Sequence, residues 1–206
     1  MRKVIVQTFV TLDGVMQAPG APDEDREGGF RHGGWSFNYW DEMMGERMDE
    51  AMKQPYDLLL GRKTYDIFAA HWPKADHPVV TPKFNAAVKY VATSSPETLE
   101  WENSVALEGD VGEAVRALRA GEGPDLSVQG SSRLIQALLA AGLVDELWLW
   151  TFPIVLGEGK RLFGDGARLL GFRLEAIETS TTGVAITRYV STEPAEPGSF
   201  ALEEGR

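Results

Sequence analysis

Apolar residues recur along this chain in two rhythms, strand-like and helix-like, that alternate. Residues 3 to 10, opening on Val4-Ile5-Val6, read as a strand. Met43, Met44, Met48, Ala51 and Met52 recur at helical spacing, which predicts a helix over 39 to 53 whose methionine stripe faces the core. A strand over 56 to 60 and a short helix from 63 to 70 follow, and Lys89 to Ser95 is another strand-like run. Asp110 reads as an N-cap with Glu113 in the capping-box position, Val111, Ala114, Val115 and Leu118 as the buried stripe, and Gly121 as the stop. A third strand-like run, Asp125 to Ser132, leads into the helical pattern Leu134, Ile135, Leu138, Leu139.

From Val144 the pattern turns to β. Leu147, Trp148, Leu149, Trp150 and Phe152 are apolar on both faces of a strand, which marks it as central. Residues 169 to 178 and 184 to 191, joined around Thr181-Thr182-Gly183, read as a terminal antiparallel hairpin. Residues 14 to 38, rich in Gly, Pro and charge, read as one long loop, and loops of that length in compact domains are usually functional or disordered. These elements predict a single α/β domain over 1–191 with a central mixed sheet and a C-terminal antiparallel hairpin, then a frayed tail over 192–206.

The end of the strand at 56 to 60 changes the picture from fold to chemistry. The apolar run Leu58-Leu59-Leu60 stops at Gly61-Arg62-Lys63-Thr64, a corner where glycine admits a ligand close to the backbone and the opening helix attracts anions. Arg62 and Thr64 add a guanidinium and a hydroxyl. Thr93, Ser94 and Ser95 end the second run, and Gly130, Ser131 and Ser132 end the third. Ligands of open α/β sheets bind outside the carboxyl ends of parallel strands, so these corners, if adjacent, form one extended phosphate and ribose site.

At this point the chain resembles the dihydrofolate reductase superfamily, and more closely the stand-alone relatives of the C-terminal reductase domain of the bifunctional riboflavin biosynthesis deaminase/reductase. The motifs run in family order: Thr11-Leu12-Asp13-Gly14, the three corners above, then Gly142 to Leu147 and Pro153 to Gly159. The resemblance spans roughly residues 3 to 190, and the segment from Gln17 to Tyr39 is an insertion relative to the shortest members. It implies a dihydrofolate-reductase-like three-layer fold and NADPH as cofactor. Gly61, Arg62 and Thr64 with Thr93, Ser94 and Ser95 would hold its pyrophosphate and 2′-phosphate, and Gly130, Ser131 and Ser132 would offer a second helix N-terminus to the pyrophosphate. It also implies hydride transfer to a small heterocyclic or ribosylamino-pyrimidine-like substrate.

Asp13 is the candidate catalytic residue, positioning substrate or relaying a proton through water, although an Asp-Gly pair is also what a tight turn needs. Two glycine pairs, Gly28-Gly29 and Gly33-Gly34, interrupt a segment that carries Phe30, His32, Trp35 and Phe37, which suggests a glycine-hinged lid with Trp35 and Phe37 over the substrate. The density of large apolar residues late in the chain, Trp148, Trp150, Leu162 and Phe163, suggests a homodimer contact. A non-catalytic NADP(H)-binding homodimer acting as a sensor or interaction protein is the alternative on the same scaffold.

Charge and composition narrow the partners. A formal charge of −11 without a basic stripe argues against nucleic acid. Absence of cysteine removes disulfides and thiolate metal sites, and His71, Asp76 and His77 match no ligand spacing, so no metal is expected. Gly157-Glu158-Gly159-Lys160 fails the phosphate-loop pattern, since Arg161 stands where Ser or Thr is required. With no signal-like or membrane-spanning run, a cytoplasmic protein without a membrane partner is expected.

Overall fold

A computed structural model describes residues 1–164, 168–194, 196 and 198–200. Strands β1 (Val4–Thr11), β2 (Tyr56–Gly61), β3 (Lys89–Ala92), β4 (Ser104–Ala106), β5 (Asp125–Gln129), β6 (Glu146–Phe152), β7 (Gly171–Thr179) and β8 (Ala185–Thr192) form one sheet in the order β4-β3-β2-β5-β1-β6-β8-β7. Neighbours from β4 to β6 pair in parallel, while β8 pairs antiparallel with both β6 and β7. Helices α1 (Glu42–Lys53), α2 (Arg62–His71), α3 (Val80–Ala86), α4 (Val111–Ala120) and α5 (Ser132–Ala140) supply the crossovers that parallel pairing requires.

The burial of β2 explains its run of leucines. Leu58, Leu59 and Leu60 are all fully buried, because helices cover both faces of the sheet at this point. On one face Leu59 joins Val4, Val6, Val10, Leu126 and Val128 against Val115 of α4 and the Leu134, Ile135, Leu138, Leu139 stripe of α5. On the other, Leu58, Leu60 and Val91 pack against Met52 of α1, Tyr65 of α2, and Val80 and Phe84 of α3. A third cluster sits at the far end of that second face, where Trp150 and Phe152 meet Met44, Val15, Phe30 and Trp35. This is the three-layer arrangement expected from the sequence.

The departures have local causes. Helix α1 starts at Glu42 rather than 39, because the Asp41 carboxylate accepts the Met44 amide at 2.9 Å as an N-cap and also takes the Thr181 hydroxyl and amide. Helix α3 and the three-residue β4 were not anticipated; both are too short to establish a period. Strand β8 runs through Thr192, one residue into the expected tail, of which 195, 197 and 201–206 lie outside the described residues.

The segment from 14 to 38 is closely tied down. Buried Gln17 engages both ends of its side chain and its carbonyl: the side-chain NH2 donates to the carbonyls of Asp25 and Glu27, the side-chain oxygen accepts the Lys160 amide, and the carbonyl accepts Trp35 Nε1 at 2.8 Å. Trp35 is 8% exposed and makes an edge-to-face contact with Phe152, the ring centroids 5.1 Å apart. The expected lid role of Trp35 is therefore corrected: it is a core residue that anchors the segment from beneath. Phe37, at 77% exposed, does face solvent. Trp150 and Leu162, counted above towards a subunit contact, are likewise buried within the chain, at 5% and 1%.

Candidate functional site

Strand order places the ends of β3, β2, β5 and β1 side by side, so the three corners and the Asp13 turn share one edge of the sheet. Two corners touch directly. The Gly61 amide donates to Ser131 Oγ at 3.0 Å, and that hydroxyl donates to the Gln129 carbonyl at 3.1 Å. Ser131 itself is left-handed, with φ 64°. Gly130 is left-handed too, and a Cβ there would lie 3.4 Å from Thr64 Oγ1. The N-termini of α2 and α5 are thus pinned together, and neither has a side-chain cap, since the Ser131 hydroxyl is spent on Gly61. Their first-turn amides present the positive ends of both helix dipoles at one place.

Arg62 carries the site towards β3. Its Nε donates to Asp66 at 2.8 Å, and its other arm reaches the Thr98 hydroxyl, the Ser95 carbonyl at 3.4 Å and Thr93 Oγ1 at 3.5 Å. Thr93 Oγ1 accepts the Ser95 amide at 3.1 Å, which shapes the turn, and Ser94 is exposed. The guanidinium is therefore held above the 93–95 turn. Thr98, absent from the sequence motifs, belongs to this group because the turn at Pro96–Thr98 folds back onto Arg62.

Asp13 closes the other end. Its carboxylate accepts the Thr11 hydroxyl at 2.5 Å, the Gly157 amide at 2.9 Å and the Leu156 amide at 3.2 Å, with Arg161 at 3.4 Å. Partial burial raises the carboxyl pKa, but the Thr11 hydroxyl and the two amides outweigh it and bring it down to about 2. Asp13 is ionised at neutral pH. It fastens the turn after β1 to the 153–161 connection.

Between these ends lies an ionic cluster that the motifs did not reveal. Lys160 binds Asp25 at 2.6 Å and Glu27 at 2.7 Å; Lys63, in the first turn of α2, lies 3.7 Å from Asp25; Arg133, in the first turn of α5, lies 3.0 Å from Glu27. Burial raises the Asp25 pKa, and Lys160 together with the Glu27 amide more than reverses it. Two carboxylates of the 17–38 segment thus stand against cations at the start of both helices. Lys160 entered the sequence reading only in excluding a phosphate loop, and no local pattern links it to Asp25, 135 residues away. Among the described residues, no group of three or more acidic or histidine side chains is placed to hold a metal.

The chain belongs to the RibD C-terminal domain family, whose model matches residues 2–186. It is 27% identical over 187 residues to the uncharacterized protein YyaP of Bacillus subtilis strain 168, covering 89% of this chain and 92% of that protein. YwjB of the same organism is 26% identical over 168 residues, with 79% and 83% covered. Among solved structures, a putative riboflavin biosynthesis protein from Shewanella sp. PV-4 superposes with TM-score 0.68 at 23% identity, covering 93% of this chain and 99% of that one. Dihydrofolate reductase from Enterococcus faecalis, complexed with NADP(H) and RAB-propyl, superposes with TM-score 0.57 at 16% identity, covering 93% and 97%. The fold is dihydrofolate-reductase-like. The sequence motifs and the family model agree on the reductase type of domain.

Proposed function

We propose that this chain is an NADPH-dependent reductase that transfers hydride to a small heterocyclic or ribosylamino-pyrimidine-like substrate. The observation that carries the reading is the pairing of two uncapped helix N-termini through Gly61 and Ser131, with Arg62 held over the adjoining Thr93–Ser95 turn. This donor set suits a pyrophosphate flanked by a further phosphate. The corresponding fold in the Enterococcus protein carries NADP(H), which supports the choice of cofactor.

In this reading Gly61, Thr64, Gly130, Ser131 and Ser132 hold the pyrophosphate, and Arg62 with Thr93, Ser94 and Ser95 holds the 2′-phosphate. Bound nicotinamide supplies the hydride, and the chain has to orient the substrate and exclude water. Asp13, ionised and fully engaged, acts by positioning the turn beside the substrate; the accompanying proton comes through water. Phe37 remains as the exposed aromatic of the covering segment. A homodimer in the cytoplasm completes the reading. Its contact is assigned to β7, where Leu174 at 46% and Ile177 at 59% exposure give the outer strand an unpaired apolar face.

Calorimetric titration with NADPH, followed by absorbance assays of NADPH oxidation with pyrimidine and pterin substrates, tests the proposal. Tight NADPH binding with turnover of one substrate is the expected result. Binding without turnover of any substrate favours a sensor, and absence of dinucleotide binding refutes both. Monomer alone in light scattering at micromolar protein refutes the dimer.

A further inference from the structure

Lys63 and Arg133 occupy matched places, each the second residue of its helix, on the α2 and α5 N-termini that Ser131 joins through the Gly61 amide. Neither cation is unclaimed within the chain. Lys63 faces Asp25 at 3.7 Å and Arg133 binds Glu27 at 3.0 Å, while Arg62 is held by Asp66 at 2.8 Å. Around the corners, the four cations Arg62, Lys63, Arg133 and Lys160 already share the three carboxylates Asp25, Glu27 and Asp66. Phosphates that arrive here meet a seat whose charge is mostly spent.

The pairs differ in strength. Asp25 and Lys160 meet largely out of solvent, and the Asp25 carboxylate also accepts the Glu27 amide at 3.1 Å. Gln17 holds the backbone there, donating to the Asp25 and Glu27 carbonyls. That half of the cluster is fixed. The Lys63 and Arg133 side chains are 56% and 85% exposed, and exposed pairs contribute little, because water screens them and ordering two long side chains costs entropy. A phosphate offers a guanidinium charge-assisted hydrogen bonds, often two at once. The exposed half can therefore exchange partners while the buried half stays.

We propose that Asp25 and Glu27 mask Lys63 and Arg133, two phosphate ligands that are released when a pyrophosphate group displaces the carboxylates, while Lys160 keeps Asp25 and Glu27 in place. The inference rests on the dinucleotide reading of this site and concerns how entry to it is regulated. The mask acts as a filter. A lone inorganic phosphate gains too few contacts to displace the resident carboxylates, whereas a pyrophosphate engages both helix N-termini at once. A purely structural role would instead have the two carboxylates stabilise helix starts that lack side-chain caps. Their loss would then lower stability and leave phosphate binding unmoved.

The probes are NADPH, inorganic pyrophosphate and inorganic phosphate, titrated calorimetrically into the full chain and into Glu27→Gln, Arg133→Met and the double variant. The parent should bind pyrophosphate well ahead of phosphate. Glu27→Gln should tighten pyrophosphate and NADPH roughly threefold, in the range of an exposed ion pair, and narrow the gap to phosphate. Arg133→Met should weaken pyrophosphate and NADPH about tenfold, the lower end for a hydrogen bond to a charged group. In the double variant the gain from Glu27→Gln should shrink, because the two residues act as one pair. Both single variants should melt within about 3 °C of the parent, a readout that a structural role would move further. Unchanged affinities in Arg133→Met, a gain from Glu27→Gln that persists in full without Arg133, equal binding of phosphate and pyrophosphate by the parent, or binding of neither pyrophosphate nor NADPH overturns the mask. If pyrophosphate responds as expected while NADPH fails to bind, the cofactor reading falls and the mask stands.

Discussion

Replacing Arg62 by Ala should separate the two dinucleotides. The guanidinium is about one-third exposed, and Asp66 at 2.8 Å already neutralises part of its charge. Its remaining arm contacts only neutral groups, Thr93, Ser95 and Thr98, so a phosphate placed over the 93–95 turn would be its strongest partner. A hydrogen bond to a charged group contributes about 1.5–3 kcal/mol, and competition from Asp66 favours the lower end. NADPH should therefore weaken by roughly tenfold to thirtyfold, while NADH, lacking the 2′-phosphate, should change less than about twofold. Stability should fall by no more than about 1 kcal/mol, because the Arg62–Asp66 pair is exposed. Calorimetric titration of both dinucleotides into both proteins measures the difference. An equal loss for NADPH and NADH would refute the placement of Arg62 at the 2′-phosphate.

Trp35→Ala should cost about 3–5 kcal/mol in urea unfolding, since it empties a core site and orphans the Gln17 carbonyl; a loss under about 1 kcal/mol would return Trp35 to a covering role. Glu27→Gln should tighten NADPH, because Lys160 and Arg133 would lose a resident carboxylate that competes with cofactor phosphates; unchanged affinity, measured by fluorescence titration at two salt concentrations, would place the phosphates away from this cluster.

The same two residues show where sequence reasoning stops. Gly-Arg-x-Thr, the hydroxyl turns and the strand pattern are local signals and were legible as separate corners, while their meeting at one edge of the sheet comes from the strand order β3-β2-β5-β1. Trp35 was misread because its glycine-rich neighbours suggested mobility. What fixes it is Gln17, whose four hydrogen bonds reach Asp25, Glu27, Trp35 and Lys160 and exist only once the chain has folded. Asp25 and Glu27 were invisible for the same reason: their partners lie on α2, α5 and the connection after β6.

Lys89 offers a test of the fold rather than the site. Its side chain is fully buried at the start of β3, donates to the Asn85 and Ala87 carbonyls at 2.9 and 3.0 Å, and lies 4.3 Å from the centre of the Trp101 ring. Burial lowers its pKa from 10.5 to about 8, with Glu102 only partly opposing. Below pH 8 the lysine is charged in both folded and unfolded chains, and the burial cost is constant. As pH rises from about 8 towards 10.5, the unfolded chain holds more protons than the folded one, so stability rises with pH. Each pH unit in that window is worth up to about 1.4 kcal/mol. Urea unfolding between pH 7.5 and 9.5 should show a gain of roughly 2 kcal/mol on that slope. That interval lies below the titration of the Tyr56 phenol, which burial pushes up. Lys83, lowered by burial, adds a smaller slope of the same sign. Lys89→Met should remove most of the rise, leaving the part due to Lys83. A wild-type stability that stays flat or falls across the interval would mean that Lys89 is solvated, and that the strand start it anchors is open to water.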